Sequence, residues 1–172
     1  MIKQQRLTIS LILVMLFLVL IGQYCLASPF DFLAIDRLSE GDTAPDFTLN
    51  DLSDQEVTLS DLKGKSIILF FWTTWCPHCR AQLLTLSKEY LQTKGKNIEI
   101  LTVNIQENKS KVESFLKKYK AGFNTVLDLR GKVATLYEVE GVPTFYFISQ
   151  EGKIIYVSNF LPSNYTEKFL EE

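Results

Sequence analysis

The sequence has few of the residues from which most enzyme sites are built. Its 172 residues include one histidine, His78, which excludes both a metal centre built on histidines and a Ser-His-Asp catalytic arrangement. It has no glycine-rich phosphate loop, so the usual nucleotide-binding motifs are excluded too. The formal net charge of -2 provides no basic surface for nucleic acid. We therefore expect no metal, no cofactor and no nucleic-acid partner.

Cysteine is also scarce, and two of the three cysteines stand close together in the segment C-P-H-C, residues 76–79. An apolar and aromatic run at 67–72 precedes them. This run is too short to cross a membrane and is typical of a buried strand. Pro77 ends the strand, and its fixed φ suits the first turn of a helix. The two cysteines are therefore predicted where a buried strand leads into a helix N-terminus.

The spacing of these two cysteines favours redox chemistry. Residues three apart in a first helical turn lie on one face, so the two sulfurs can approach bonding distance. The free N–H groups of the helix start would favour the thiolate of Cys76, and His78 would add positive charge beside it. Cys79 would be the more buried, resolving thiol. Half of a zinc site and a structural disulfide are the other interpretations, but a second ligand pair is missing and so local a bond closes almost no loop.

Four blocks of the sequence resemble those of thioredoxin-fold proteins and occur in the same order. They are Gly41–Leu49 (G-D-T-A-P-D-F-T-L), Leu59–Lys65 (L-S-D-L-K-G-K), Phe71–Cys79 (F-W-T-T-W-C-P-H-C) and Gly141–Phe145 (G-V-P-T-F). The resemblance is strongest to the TlpA/ResA-like thiol–disulfide oxidoreductases of bacterial cell envelopes and extends from Gly41 to the C-terminus. Peroxiredoxins share the first block. Its combination with W-C-x-x-C and a downstream V-P-T is much more specific.

The resemblance implies an α/β protein with a thioredoxin-like fold, in which helices flank a mixed central sheet. It also implies an N-terminal β-hairpin extension, and alternating apolar residues on either side of a turn at 51–55 favour such a hairpin. Further strands are predicted at 98–103, 125–127, 146–148 and 154–157, and helices at 80–94, 108–119, 132–137 and 165–172. Strands that alternate with helices and then form a hairpin indicate a mixed sheet.

A second functional element is implied at the V-P-T block. The resemblance implies a cis peptide bond between Val142 and Pro143, facing the cysteine pair. The backbone groups that such a bond exposes would pair with an extended substrate strand. Trp75 would cover Cys76 and form part of the same docking surface. The other interpretations are a simple strand-entry proline and plain packing of the tryptophan.

The chain departs from the family at two positions that normally carry an acid. Thioredoxins have a buried acid six residues before the first cysteine, where this chain has Phe70. ResA-like proteins have a glutamate three residues after the second cysteine, where this chain has Gln82. Such a carboxylate exchanges the proton of the buried thiol, whereas Gln82 can form hydrogen bonds but cannot titrate. Deprotonation of Cys79 would then need water or another residue, which leaves the direction of the redox cycle open.

The N-terminal segment has the pattern of an export signal. Two positive charges precede an almost wholly apolar stretch at 7–21, and acidic residues follow it, which places the domain outside the cytoplasm. Residues 1–27 are predicted to be a signal peptide or, because 7–27 is about long enough to span a bilayer, a membrane anchor. A linker at 28–40 and a thioredoxin-like domain at 41–172 follow. The third cysteine is removed with the segment or lies at the membrane edge.

These features predict an exported thiol–disulfide oxidoreductase, periplasmic or on the outer face of the cytoplasmic membrane, which reduces disulfides in partner proteins. The resemblance implies a transmembrane thiol carrier as its electron donor, and often a role in preparing the cysteines of apocytochrome c for haem.

Three alternatives remain. A disulfide-forming oxidase or isomerase is favoured by C-P-H-C and the missing carboxylate, although the chain has no room for the helical insertion of DsbA-like oxidases. A peroxiredoxin-like peroxidase is favoured by G-D-T-A-P-D-F and by Thr73, three residues before Cys76. Trp75, which lies between Thr73 and Cys76, and the nearby Cys79 argue against a peroxidase. A non-catalytic thioredoxin-fold binding module would need neither cysteine.

Overall fold

The computed structural model describes residues 38–93 and 97–169, together with Met15 and Phe17. The chain divides into two units, Met1–Asp36 and Arg37–Glu172. In the first unit only Met15 and Phe17 are described, and both are helical. The predicted signal peptide or anchor at 1–27 otherwise lies outside the described residues, as does most of the predicted linker. Across the described ranges, no helix has the length and apolar composition that crossing a membrane requires.

Strands and helices alternate in the second unit, as the periodicity predicts. In chain order they are β1 (Thr48–Asn50), β2 (Glu56–Thr58), a 3-10 turn (Leu59–Leu62), β3 (Ser66–Trp72), α1 (Pro77–Thr93), β4 (Ile98–Ile105), α2 (Lys109–Tyr119), β5 (Asn124–Asp128), α3 (Lys132–Leu136), β6 (Thr144–Ile148), β7 (Ile154–Ser158) and a second 3-10 turn (Glu167–Phe169). The α/β class is confirmed. The predicted helix at 165–172 is wrong over its described part, which holds turns and three residues of 3-10 helix.

The predicted N-terminal hairpin is present, with β1 and β2 paired antiparallel. The Asp51 carboxylate closes its turn by accepting hydrogen bonds from the backbone N–H groups of Ser53 and Gln55, at 2.7 and 2.9 Å. Asp51 also forms an antiparallel bridge with Val126 of β5. The hairpin therefore lies along an edge strand of the main sheet.

The main sheet has five described strands in the order β5-β4-β3-β6-β7. β3 is parallel to β4 and antiparallel to β6, so the sheet is mixed, as predicted. Its register places Trp72 opposite Asn104 and Phe71 opposite Thr144. The carboxyl ends of β3 and β4 and the amino end of β6 therefore meet at one end of the sheet, and this end carries the cysteine pair.

The central strand β3 separates two hydrophobic cores. All seven of its residues are buried, and alternate side chains face opposite sides of the sheet. Phe71 belongs to one core, whereas Phe70 and Trp72 belong to the other, which also contains Cys79. Phe70 stacks on Phe145 with 4.2 Å between the ring centroids. Burying such a side chain stabilises the fold by about 2 kcal/mol. Phe70, which stands where thioredoxins have a buried acid, therefore contributes to core packing.

Candidate active site

Cys76 occupies the N-cap position of α1. The helix begins at Pro77, which has no N–H group to satisfy in the first turn. The Cys76 sulfur accepts a hydrogen bond from the backbone N–H of Cys79 at 3.1 Å, and the Cys76 carbonyl accepts one from Arg80 at 3.2 Å. The sulfur thus takes the place that a serine or aspartate side chain takes in most helix caps. The predicted location of the pair, between a buried strand and a helix, is confirmed.

The two thiols differ in their surroundings. Cys79 is 0% exposed and Cys76 is 4% exposed, and both are free thiols. Burial raises the pKa of the Cys79 thiol far above its usual range, and the neighbouring Cys76 thiol raises it further. A hydrogen bond with the backbone of Thr73 lowers the pKa of Cys79, but by less than burial raises it. Cys79 is therefore the enclosed, protonated member of the pair.

The two residues between the cysteines face solvent. Pro77 and His78 are both exposed on the first turn of α1. Water and salt screen an exposed charge, so a protonated His78 acts on Cys76 more weakly than a buried cation would. The effect of His78 on the thiolate stays a prediction.

The loop before β6 approaches the cysteine pair. The peptide bond between Val142 and Pro143 is cis, as the resemblance implies. The Cys76 thiol donates a hydrogen bond to the carbonyl oxygen of Val142 at 3.5 Å. The carbonyl of Pro143 accepts a hydrogen bond from the Asn159 side chain at 3.0 Å, which ties this loop to the residue after β7. The fold thus brings residues that are far apart in the sequence to one site.

An open cleft of about 450 Å³ adjoins this loop. Trp75 and Val142 line it, together with Thr73, Ile105, Gln106 and Thr135. Trp75 is 66% exposed, so it stands at the surface beside the cysteine pair. The Thr73 hydroxyl is buried and has no hydrogen-bond partner in the described part of the chain.

Gln82 already has a hydrogen-bond partner. Its amide oxygen accepts a hydrogen bond from the backbone N–H of Leu161 at 2.9 Å. This bond ties α1, three residues beyond Cys79, to the segment that follows β7. The position of the family glutamate therefore carries a neutral group with a local structural partner.

Glu107 also belongs to the site, although no sequence motif pointed to it. This residue follows β4 and is 6% exposed, and it accepts hydrogen bonds from the backbone N–H and the hydroxyl of Thr74, at 2.6 and 2.7 Å. Burial opposes its ionisation, but hydrogen bonds from Lys111, Asn104 and Thr74 outweigh burial and lower the pKa of Glu107. The available signal was its place after the strand next to β3, since the ends of parallel neighbours meet. On its own, an acid just before a helix is typical of an exposed cap.

A dithiol at a helix N-terminus, facing a cis-proline loop at the end of a mixed sheet, defines a thiol–disulfide oxidoreductase with the thioredoxin fold. Among the residues that the structure describes, no cluster of three or more His, Cys, Asp or Glu side chains is placed to hold a metal ion.

The known proteins that this chain resembles belong to the same class. The AhpC/TSA family matches residues 40–157. The thiol-disulfide oxidoreductase ResA of Bacillus subtilis is 39% identical over 126 residues, which cover 73% of this chain and 70% of that protein. The chain therefore belongs to the ResA/TlpA-like thiol–disulfide oxidoreductases of the AhpC/TSA family, as predicted.

Solved structures agree with this assignment. The thioredoxin domain of a thiol-disulfide oxidoreductase from Bacteroides vulgatus aligns with a TM-score of 0.69 at 29% identity, covering 78% of this chain and 96% of that one. A secreted disulfide oxidoreductase from Mycobacterium tuberculosis, homologous to Escherichia coli DsbE, aligns with a TM-score of 0.63 at 25% identity, covering 73% of this chain and 96% of that one. The predicted thioredoxin-like fold is confirmed.

Proposed function

We propose that this protein is an exported disulfide reductase, which acts outside the cytoplasmic membrane on disulfides of partner proteins through Cys76 and Cys79. The observation that carries the proposal is the difference between the two thiols. The Cys76 sulfur lies between the helix cap and the Val142 carbonyl and keeps 4% exposure. Cys79 lies fully buried behind it, with a raised pKa. One thiol is placed to meet a partner, and the other is kept from reacting first.

The reaction proceeds in two exchange steps. The Cys76 thiolate attacks a disulfide of the partner, and one partner sulfur leaves as a thiolate and takes up a proton. Cys79 then loses its proton and attacks the Cys76 sulfur in the mixed disulfide, which releases the second partner sulfur. Two electrons and two protons pass to the partner, and the chain is left with a Cys76–Cys79 disulfide. Cys79 stays protonated until the mixed disulfide forms, because burial disfavours its thiolate.

The partner docks on the surface around the cis-proline loop. Val142 offers a backbone carbonyl next to Cys76, and an extended partner strand can pair with such a group. Trp75 offers a large exposed ring at the rim of the cleft. Aromatic side chains of this kind often carry much of the binding energy of an interface. The assigned docking residues are therefore Trp75, Val142 and Pro143.

The proposed location rests on the sequence of residues 1–27. Their charge and apolar pattern support export, and a relative from Mycobacterium tuberculosis is described as secreted. Compartments outside the cytoplasm are oxidising, so they do not reduce the Cys76–Cys79 disulfide again. A separate electron donor must do so. The resemblance supports a transmembrane thiol carrier as this donor and apocytochrome c as one substrate.

A disulfide-forming oxidase is the second candidate, and Gln82 favours it. A reductase needs Cys79 to lose its proton in the second step, and the amide of Gln82 cannot accept that proton. An oxidase starts from the Cys76–Cys79 disulfide and gives it to a partner dithiol, so the chain ends with Cys79 protonated. The raised pKa of Cys79 suits that product.

The reduction potential of the Cys76–Cys79 pair distinguishes the two candidates. The full chain, held in detergent, would be equilibrated in dithiol redox buffers, with tryptophan fluorescence as the signal because Trp75 adjoins the pair. A value near that of thioredoxin, about -270 mV, supports a reductase. A value near that of DsbA, about -120 mV, contradicts the reductase and supports the oxidase.

A further inference from the structure

Glu107 holds the loop that carries Cys76. Its carboxylate accepts four hydrogen bonds: two from Thr74, one from the side-chain amide of Asn104 at 2.9 Å and one from the Lys111 ammonium at 2.6 Å. Thr74 is itself buried and stands two residues before Cys76. Both carboxylate oxygens contact Thr74, one through its N–H and the other through its hydroxyl. Two bonds to one residue fix its orientation as well as its position.

The backbone after β4 brings Glu107 to this loop. β4 ends at Ile105, and Gln106 has a positive φ of 55°, a left-handed conformation that turns the chain sharply. Asn108 then caps α2 by accepting a hydrogen bond from the Lys111 N–H. Glu107 is held between these two fixed points. Because β3 and β4 are parallel and Trp72 pairs with Asn104, the residues after each strand lie side by side.

The carboxylate has no capacity left for catalysis. An ionised carboxylate has about four lone-pair sites, and four donors occupy them here. Glu107 therefore does not replace the acids that the family has at the positions of Phe70 and Gln82. Its hydrogen bonds join the loop that contains Thr74 to Lys111 at the start of α2.

We propose that Glu107 is a positioning residue that sets the reactivity of Cys76, by holding Thr74 and with it the geometry of the helix cap. This inference rests on the proposed function in one respect, that Cys76 is the reacting thiol. A reacting sulfur displaced by about 1 Å loses up to about a hundredfold in rate, so a loosened loop has a measurable effect. Neither the resemblance nor the sequence motifs assign Glu107 this role.

The test uses the reduced full-length protein in detergent and 5,5′-dithiobis(2-nitrobenzoate), a small disulfide that needs no docking surface. Cys76 attacks this probe and releases one coloured thiolate, and Cys79 then releases the second. Cys25 is replaced by serine in every protein compared, because this third cysteine would also react with the probe. The rate of the first phase then reports Cys76. Rates are compared at a temperature where near-ultraviolet circular dichroism shows every variant to be folded.

We expect Glu107→Gln to slow the first phase about tenfold, because the amide cannot accept all four hydrogen bonds. Glu113→Gln is the matched control, since Glu113 is an exposed acid on α2, the helix that begins just after Glu107, and its rate should match that of the unsubstituted protein. Thr74→Val keeps the backbone N–H but loses the hydroxyl, and should slow the first phase by about threefold or more. Thr74→Ser keeps both donors and should restore the original rate.

A purely structural role gives a different result. In that case Glu107→Gln and Thr74→Val lower the unfolding temperature, but the folded variants react with the probe at the original rate, which overturns the proposal. Equal slowing by Glu113→Gln also overturns it, because the effect would then be one of net charge. If Glu107→Gln does not fold, the comparison of Thr74→Val with Thr74→Ser decides the question. A first phase that keeps its original rate in Cys76→Ser, in which Cys25 is also replaced, instead contradicts the proposed function, before any Glu107 variant is considered.

Discussion

The Sγ atom of Cys76 lies 3.5 Å from the carbonyl oxygen of Val142, a residue 66 positions away along the chain. In the free protein the Cys76 thiol donates a hydrogen bond to this carbonyl. After Cys76 forms a bond to a partner sulfur it has no proton to donate, so the Val142 carbonyl can accept an N–H group from the partner's backbone. If partner strands dock at Val142, as proposed, reaction at the Cys76 sulfur and pairing with the partner backbone would be linked through this one oxygen atom.

Serine variants of the two cysteines separate their roles. Cys76→Ser should reduce the disulfides of insulin no faster than buffer does, because the attacking sulfur is gone. Cys79→Ser should form the mixed disulfide with insulin but fail to resolve it, so the covalent complex should accumulate and be detected by mass spectrometry. An unsubstituted protein that itself reduces insulin no faster than buffer does would instead support a non-catalytic binding module.

Replacing Gln82 by glutamate restores the family acid on α1. We expect Gln82→Glu to speed the second step, the attack by Cys79, by roughly tenfold or more near neutral pH, because a positioned carboxylate can accept the Cys79 proton. Both oxygens of glutamate can still accept the Leu161 N–H, so the hydrogen bond between α1 and that segment should persist.

Single-turnover mixing with a disulfide substrate measures this step directly. Gln82→Ala is the control: it removes the hydrogen bond to Leu161, which should cost about 1 kcal/mol of unfolding free energy without speeding the reaction. An unchanged second step in Gln82→Glu would show that proton transfer does not limit the cycle.

Trp75 should matter for proteins but not for small disulfides. Trp75→Ala removes an exposed ring next to Cys76 and should raise the KM for a protein substrate about tenfold, in the range of an interface hot spot. Its rate with 5,5′-dithiobis(2-nitrobenzoate) should stay the same. Leu84→Ala removes another exposed apolar side chain, on α1, and should leave both values unchanged. A parallel loss with both substrates would place Trp75 in the chemistry of Cys76 instead of docking.

Glu107 should make stability depend on acid pH. Its pKa is lowered from the ordinary value of 4.5 in the folded protein, so its ionised form contributes stability that is fully present above about pH 4.5. That contribution is lost as the pH falls through the lower, folded-state pKa. Urea unfolding between pH 7 and pH 3 should therefore show a steeper acid loss in the unsubstituted protein than in Glu107→Gln. Identical pH profiles would mean that the hydrogen bonds to Glu107 do not favour its charged form.

Much of the fold was predictable because local signals were strong. The apolar run at 67–72 and Pro77 mark the strand and the helix start, so the position of the cysteine pair follows from sequence. The cis bond at Pro143 came from the resemblance, since residues alone do not distinguish it from a strand-entry proline.

Two features of the structure could not be predicted from the sequence. The burial of Glu107 depends on the left-handed backbone of Gln106 and on a neighbour 33 residues away, and neither leaves a periodic trace. The helix predicted at 165–172 fails where it is described, because Asn164 hydrogen-bonds to the Glu167 side chain and accepts a bond from its N–H, which closes a local turn.

The hairpin along β5 has a consequence for the tendency of the protein to aggregate. An open sheet edge is a template on which any neighbouring chain can add a strand, and this leads to aggregation. The bridge between Asp51 and Val126 places a short, polar turn against that edge. If partner strands dock at the cis-proline loop, as proposed, this turn would keep them from adding to the edge strand β5 instead.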